Sequence, residues 1–187
     1  MGDGSGGMTG AALLRPEIKA RLDHADPRVF SFIEAWMAAR HGKLVPYRDD
    51  FDPMSVPTLL GSAWLYRYEP DLGDFVCRLA GEEIKAAWRG DLKGRSLREI
   101  IGDDDHAVVV ARWRLVMAGP LIQFGAASEP RDGSTHRRVE RLVLPLAEPG
   151  AGITHMLGLS LYALSRQNLT RTILVPDTTI QIPCADL

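Results

Sequence analysis

The chain has 187 residues, 45% of them hydrophobic and 25% charged, with a formal net charge of −2. That is the composition of an ordinary globular protein, long enough for one core with extensions. The charge balance lacks the basic excess of a general nucleic-acid binder, and no apolar run reaches the roughly 18 residues of a membrane-spanning helix.

Residues 1–26 are read as a flexible N-terminal tail. Met1 to Gly10 is glycine-rich and has no charged-then-apolar signal layout, and a short helix over 16–22 is compatible with the remainder. The first strong element is a helix from Pro27 to about His41. Asp26 is a good N-cap, Pro27 suits the first helical position, and Gly42 suits the position just past the end. Its apolar arc holds Val29, Phe30, Phe32, Ile33, Trp36 and Met37, wider than a simple surface helix needs. An exposed arc of that width predicts a homodimer formed through the 27–41 helix; the plainer reading is a helix that caps its own sheet. Residues 43–58, rich in Pro and Asp, make an ordered connector, so 27–58 forms one N-terminal unit.

A first strand is predicted over 61–69, with Trp64, Tyr66 and Tyr68 on one face and Ala63 and Leu65 on the other. Pro70-Asp71-Leu72-Gly73 has turn chemistry. In the second strand Phe75, Cys77 and Leu79 alternate with Val76, Arg78 and Ala80, and Gly81 ends it as a residue free to take positive φ. Short helices follow at 82–89 and 96–101, then a longer one from Asp103 to about Ala118, stopped by Gly119-Pro120. Strands at 121–128 and 137–146 flank the hairpin-type loop Pro130–Ser134. A fifth strand at 153–163 places Ile153, His155, Leu157, Leu159 and Leu161 on one face. In the C-terminal extension, 165–187, the stretches 173–175 and 179–182 either add a small strand or pack across the domain.

A strand, short helices, a longer helix and three more strands follow the chain order of a PAS domain. The segment from Leu44 to Pro53, then Val56 to Leu60, the element Arg78-Leu79-x-Gly81 and the run Glu140 to Leu146 make the likeness more specific. In these the chain resembles the PAS-like family of short bacterial proteins best known from alphaproteobacteria, a PAS subgroup of unknown function. The resemblance spans roughly residues 28–163. It implies an α+β fold with a five-stranded antiparallel sheet flanked by helices, a core over 59–164, and an N-terminal helix packed outside it. It also implies a sensory or regulatory role with a signalling protein as partner. It carries over no catalytic residue and no common ligand.

Trp88, Trp113 and Phe124 fall on elements that surround the central cavity of that fold. They either line a site for a small, largely apolar ligand or fill it. Arg78 and Arg141, both in strands with Glu140, either pair across the sheet or reach an acidic ligand group. Because some haem-sensing PAS domains use a histidine from the helix that follows Asp103, His106 resembles a candidate axial ligand, although a lone histidine among apolar neighbours is a weak haem signal. No cofactor is expected. His155 reads as a core or pocket-edge histidine.

Asp49, Asp50 and Asp52 lack a calcium-loop pattern, as do Asp103, Asp104 and Asp105. There is no phosphate-cradling loop with Lys, no HExxH and no GxSxG elbow, so no enzyme activity is expected. Cys77 and Cys184 form neither a disulfide framework nor a metal spacing and are read as reduced thiols of a cytoplasmic protein. The expectation is a stand-alone sensory module. The alternatives are a pure protein-interaction module with a filled core, or a haem-based sensor using His106.

Overall fold

A computed structural model of the chain describes residues 13–132, 135–165 and 178–187. The elements are α1 (Pro16–Arg21), α2 (Pro27–Ala38), three 3-10 turns between 48 and 62, β1 (Ala63–Glu69), β2 (Asp74–Ala80), α3 (Glu82–Trp88), α4 (Leu97–Ile101), α5 (Asp103–Ala118), β3 (Leu121–Asp132), β4 (Thr135–Glu148), β5 (Gly152–Ser165) and β6 (Thr178–Pro183). The strands form one antiparallel sheet in the order β2-β1-β5-β4-β3-β6. The fold is α+β, as expected, but the sheet has six strands rather than five. Within the C-terminal extension, β6 pairs with β3 from Leu121↔Pro183 to Ala126↔Thr178, which covers an edge that would otherwise leave backbone groups unpaired. The stretch 173–175 lies outside the described residues.

The sheet is buried on both faces, and period-2 alternation sorts its side chains into two cores. The outer face carries Leu65, Ile122, Phe124, Leu142, Leu144, Leu146, Leu157, Leu159 and Leu161. It is covered by Val29, Phe32, Ile33 and Trp36 of α2 and by Leu14, Ile18 and Leu22 in and beside α1. The inner face carries Trp64, Tyr66, Phe75, Cys77, Val143 and Met156, beneath Ile84 of α3, Leu97 of α4 and Val110, Trp113 and Val116 of α5.

Three expectations change here. Residues 13–26 are not a tail, because Leu14, Ile18 and Leu22 are buried in the outer core; residues 1–12 lie outside the described residues. The wide apolar arc of α2 is taken up within its own chain. Val29, Phe32, Ile33 and Trp36 are buried, Phe30 and Met37 pack against the same cluster, and the Trp36 Nε1 donates to the Pro145 carbonyl at 2.8 Å. The excess surface that argued for pairing through this helix is therefore absent. Finally, β2 does not keep its alternation. Leu65 pairs with Leu79 but Tyr66 pairs with Cys77, so Arg78 is an extra residue in a bulge. A one-residue insertion exchanges the faces beyond it: Ala80 joins Phe75 and Cys77 in the inner core, and Leu79 is turned out to solvent.

Gly81 is required for a different reason from the one its sequence context suggests. Its φ is −68°, ordinary for any residue. A Cβ there would overlap the carbonyl oxygens of Leu60 and Gly61. Its N–H donates to the Ala63 carbonyl at 2.9 Å, so the chain enters α3 pressed against the start of β1. Ahead of α4, Ser96 and Glu99 form a reciprocal capping box. These two local devices fix the short helices that roof the inner face.

Candidate functional site

The roof does not close fully on the sheet. Between them lies a cavity of about 90 Å³, lined by Trp64 and Tyr66 of β1, Ile84 and Trp88 of α3, Leu97, Ile100 and Ile101 of α4, and Val109, Arg112 and Trp113 of α5. Its floor is Gln123 and Gly125 of β3, Arg141 and Val143 of β4, and Ser160 of β5. The floor follows from strand register. Gln123 pairs with Val143, which pairs with Gly158; Gly125 pairs with Arg141, which pairs with Ser160. Two cross-strand rows therefore present a glutamine, an arginine and a serine to the inner face, where strands of this burial usually present aliphatic groups.

Aromatic rings build one wall. Trp64 and Trp113 stack with centroids 5.2 Å apart and planes at 16°. Tyr66 meets both edge-on, and Phe75 meets Trp113 edge-on at 5.0 Å. Such offset and edge-to-face pairs add to the gain from burial. The Trp64 indole lies directly over Gly158, where any Cβ would overlap the ring. Its Nε1 donates to the Ser160 Oγ at 2.9 Å, and the Trp88 Nε1 donates to the Tyr162 hydroxyl at 3.1 Å. Both indole N–H groups are thus satisfied and hold their rings in place.

The electrostatics of the wall are those of neutral groups. Burial, then the adjoining Cys77, pushes the Tyr66 phenol far above its usual range. Burial also raises the Cys77 thiol, whose Sγ donates to the Leu79 carbonyl. Burial pushes the Cys184 thiol, on the other core, up to about 12. Thiols so placed are packing groups rather than nucleophiles. Among the described residues no group of three or more His, Cys, Asp or Glu side chains is placed to hold a metal ion. Asp50 pairs with Lys43, and Asp52 accepts from the Met54 N–H as a turn cap.

Of the residues singled out from sequence, Trp88, Trp113 and Arg141 come together at the cavity. Phe124 does not. It is 1% exposed in the outer core, with the His24 ring 5.7 Å away, because it alternates with Gln123 and Gly125, which face inward. Arg78 sits in the β2 bulge and bonds Glu69 at the surface. His106 is buried with its Nε2 2.9 Å from Asp74 Oδ1, a close approach that makes no hydrogen bond. It stands outside the cavity lining, so the haem reading loses the ligand it depended on. Glu140 accepts from the Asp26 N–H at 2.8 Å, tying β4 to the start of α2. His155 is buried beside Thr154 and Glu148, again away from the cavity.

Sequence reasoning missed Trp64, Tyr66, Arg112, Gln123 and Ser160 as site residues. For Trp64 and Tyr66 the signal was present, since they share a face with Tyr68 opposite aliphatic Leu65. For Gln123 and Ser160 it was misleading, because a polar residue alternating with apolar ones ordinarily faces water.

A family model described as PAS domain matches residues 25–161, a span that includes every residue lining the cavity. No curated protein matches the chain.

Proposed function

The chain belongs to the PAS domain family, whose members are sensory and interaction modules, and from that premise we propose that it is a sensor for a small, largely apolar molecule held between the sheet and α3–α5. The observation that carries this reading is the cavity itself. It lies on the face covered by α3–α5, has three of the four tryptophans of the chain in its lining, and combines an apolar wall with a few convergent polar groups, the usual composition of a small-molecule site. Occupancy would alter how α3, α4 and α5 seat on the inner face, and a partner signalling protein would read that change. The module acts without catalysis: burial keeps both Tyr66 and Cys77 protonated, which leaves neither ready to act as base or nucleophile. Two unpaired, buried cysteines support a reducing, cytoplasmic setting. No helix among the described residues is long and apolar enough to cross a membrane.

The tryptophans supply the test. Trp64, Trp88 and Trp113 line the cavity, while Trp36 is buried in the opposite core. Titrating ¹⁵N-labelled protein with a small neutral aromatic such as benzyl alcohol should move the indole N–H signals of the first three and leave that of Trp36 in place. Uniform insensitivity of all four, together with native mass spectra free of any bound small molecule, would favour the filled-core interaction module instead.

A further inference from the structure

Gln123 is 7% exposed, lines the cavity, and its side-chain Oε1 has no hydrogen-bond partner among the described residues. A buried amide end left unmade costs free energy unless something else completes it. Amide oxygen and nitrogen are assigned from the surrounding network, so the unused end is available as acceptor or, flipped, as donor. Around it, the cavity lining contains two arginines, Arg112 on α5 and Arg141 on β4, and neither aspartate nor glutamate. Both arginines are half-buried. That lining sets two cationic side chains beside an apolar wall. Cationic forks of this kind match planar carboxylates bidentately.

We propose that the molecule sensed is a small organic carboxylate, its ring or short chain against Trp64, Trp88 and Trp113 and its carboxylate toward Arg141 and Arg112, with Gln123 completing the polar contacts. The inference rests on the reading of the cavity as a ligand site and goes beyond it in naming the charge and size of what enters. Size follows from volume: an engineered apolar cavity of about 150 Å³ holds benzene, so about 90 Å³ encloses nothing larger than a single ring or a few carbons. The charged group then stays nearer the half-buried arginines than the sealed aromatic wall, where an ion would be poorly solvated.

Benzoate and benzyl alcohol, which share a ring and differ in charge, are the probes. The expected result is that benzoate moves the Trp64, Trp88 and Trp113 indole signals but not that of Trp36, and does so at a concentration at least about tenfold lower than benzyl alcohol, the scale of one charge-assisted hydrogen bond. The preference should shrink with added salt, vanish in Arg141→Gln and survive in part in Arg141→Lys. If Arg141→Gln fails to fold, Arg112→Gln and the salt dependence of the unmodified protein serve in its place. Benzyl alcohol binding as tightly as benzoate would overturn the carboxylate inference and leave the ligand site standing. Failure of both probes to move the three signals would remove the site and the inference together. A benzoate response that includes Trp36 would mark non-specific binding and overturn the inference as well.

Discussion

Single residues set the shape of the cavity through contacts that substitution cannot spare. Gly158 has an ordinary extended backbone, so alanine there meets no conformational strain; what it meets is the Trp64 ring, which would overlap the new Cβ. The indole must then leave its place over β5, giving up its stack on Trp113 and its hydrogen bond to Ser160. Gly158→Ala should therefore destabilise the protein by about 1–3 kcal/mol, the usual cost of overpacking a tight interior. It should also shift the Trp64 indole signal, with chemical denaturation and NMR as the measurements. A second residue governs the response to acid. Burial lowers the pKa of His155 below its ordinary 6.5, with Glu148 opposing the shift and Arg67 adding to it. The unfolded chain therefore binds a proton that the folded one resists, so stability is fully present above about pH 6.5 and declines as pH falls through the window below it. His155→Gln should flatten that part of the stability profile and leave the region above pH 7 unchanged in slope; an unaltered slope between pH 7 and 5 would assign the acid sensitivity to another group.

Among the elements, those whose ends carry strong local chemistry were legible from sequence and those fixed by distant contacts were not. The Asp103–Ala118 helix matches its expected bounds because Gly102 precedes it, three aspartates favour its positive end, and Gly119-Pro120 stops it. Helix α2 starts where Asp26-Pro27 said it should, with the Asp26 side chain accepting from the Arg28 N–H at 2.9 Å. That cap makes a clean test at this scale. Asp26→Ala should cost about 1 kcal/mol in a denaturant titration, because the Asp26 backbone N–H still donates to Glu140 and keeps the helix docked. A loss several times larger would mean that the side chain holds more than the cap. What eluded the sequence has physical reasons of the same kind. The bulge at Arg78 depends on how β1 and β2 pair, which no pattern within β2 records, and so the faces of Leu79 and Ala80 were exchanged. Residues 179–182 were read as either a small strand or a segment packed across the domain; what decides for the strand is the open edge of β3, which that stretch alone does not contain. Trp88 and Trp113 line the cavity because their large rings face inward from the roofing helices. Phe124 was misplaced because both sheet faces are apolar, so hydrophobicity could not say which face was the cavity.

At the scale of the whole molecule, the sheet is a shared wall between two cores, and the N-terminal segment belongs to the structure rather than decorating it. Phe32, Ile33 and Trp36 of α2 are fully buried, as is Leu22 between the two helices, against a row of leucines on β4 and β5. Removing residues 1–42 would expose Leu142, Leu144, Leu146, Leu157 and Leu159 to water at once, an apolar surface of a kind that soluble proteins rarely leave open. It would also strip Pro145 of the Trp36 donor that its carbonyl accepts. Burial of large side chains contributes roughly 1.5–3 kcal/mol each, and a domain of this size holds only about 5–15 kcal/mol of net stability. The loss of α1 and α2 therefore exceeds what the inner core can offset. The truncated chain should lack a cooperative thermal transition and show the collapsed near-ultraviolet aromatic signal of unpacked rings, or aggregate through the uncovered leucines. The full chain should melt in one step, with inner-core and outer-core tryptophans reporting the same midpoint. A truncated protein that stays folded and monomeric would show that the outer core is dispensable. Separate midpoints for Trp36 and Trp113 in the intact chain would show that the two faces of the sheet unfold independently, and that a change in the inner cavity has no direct route through the sheet to the N-terminal helices.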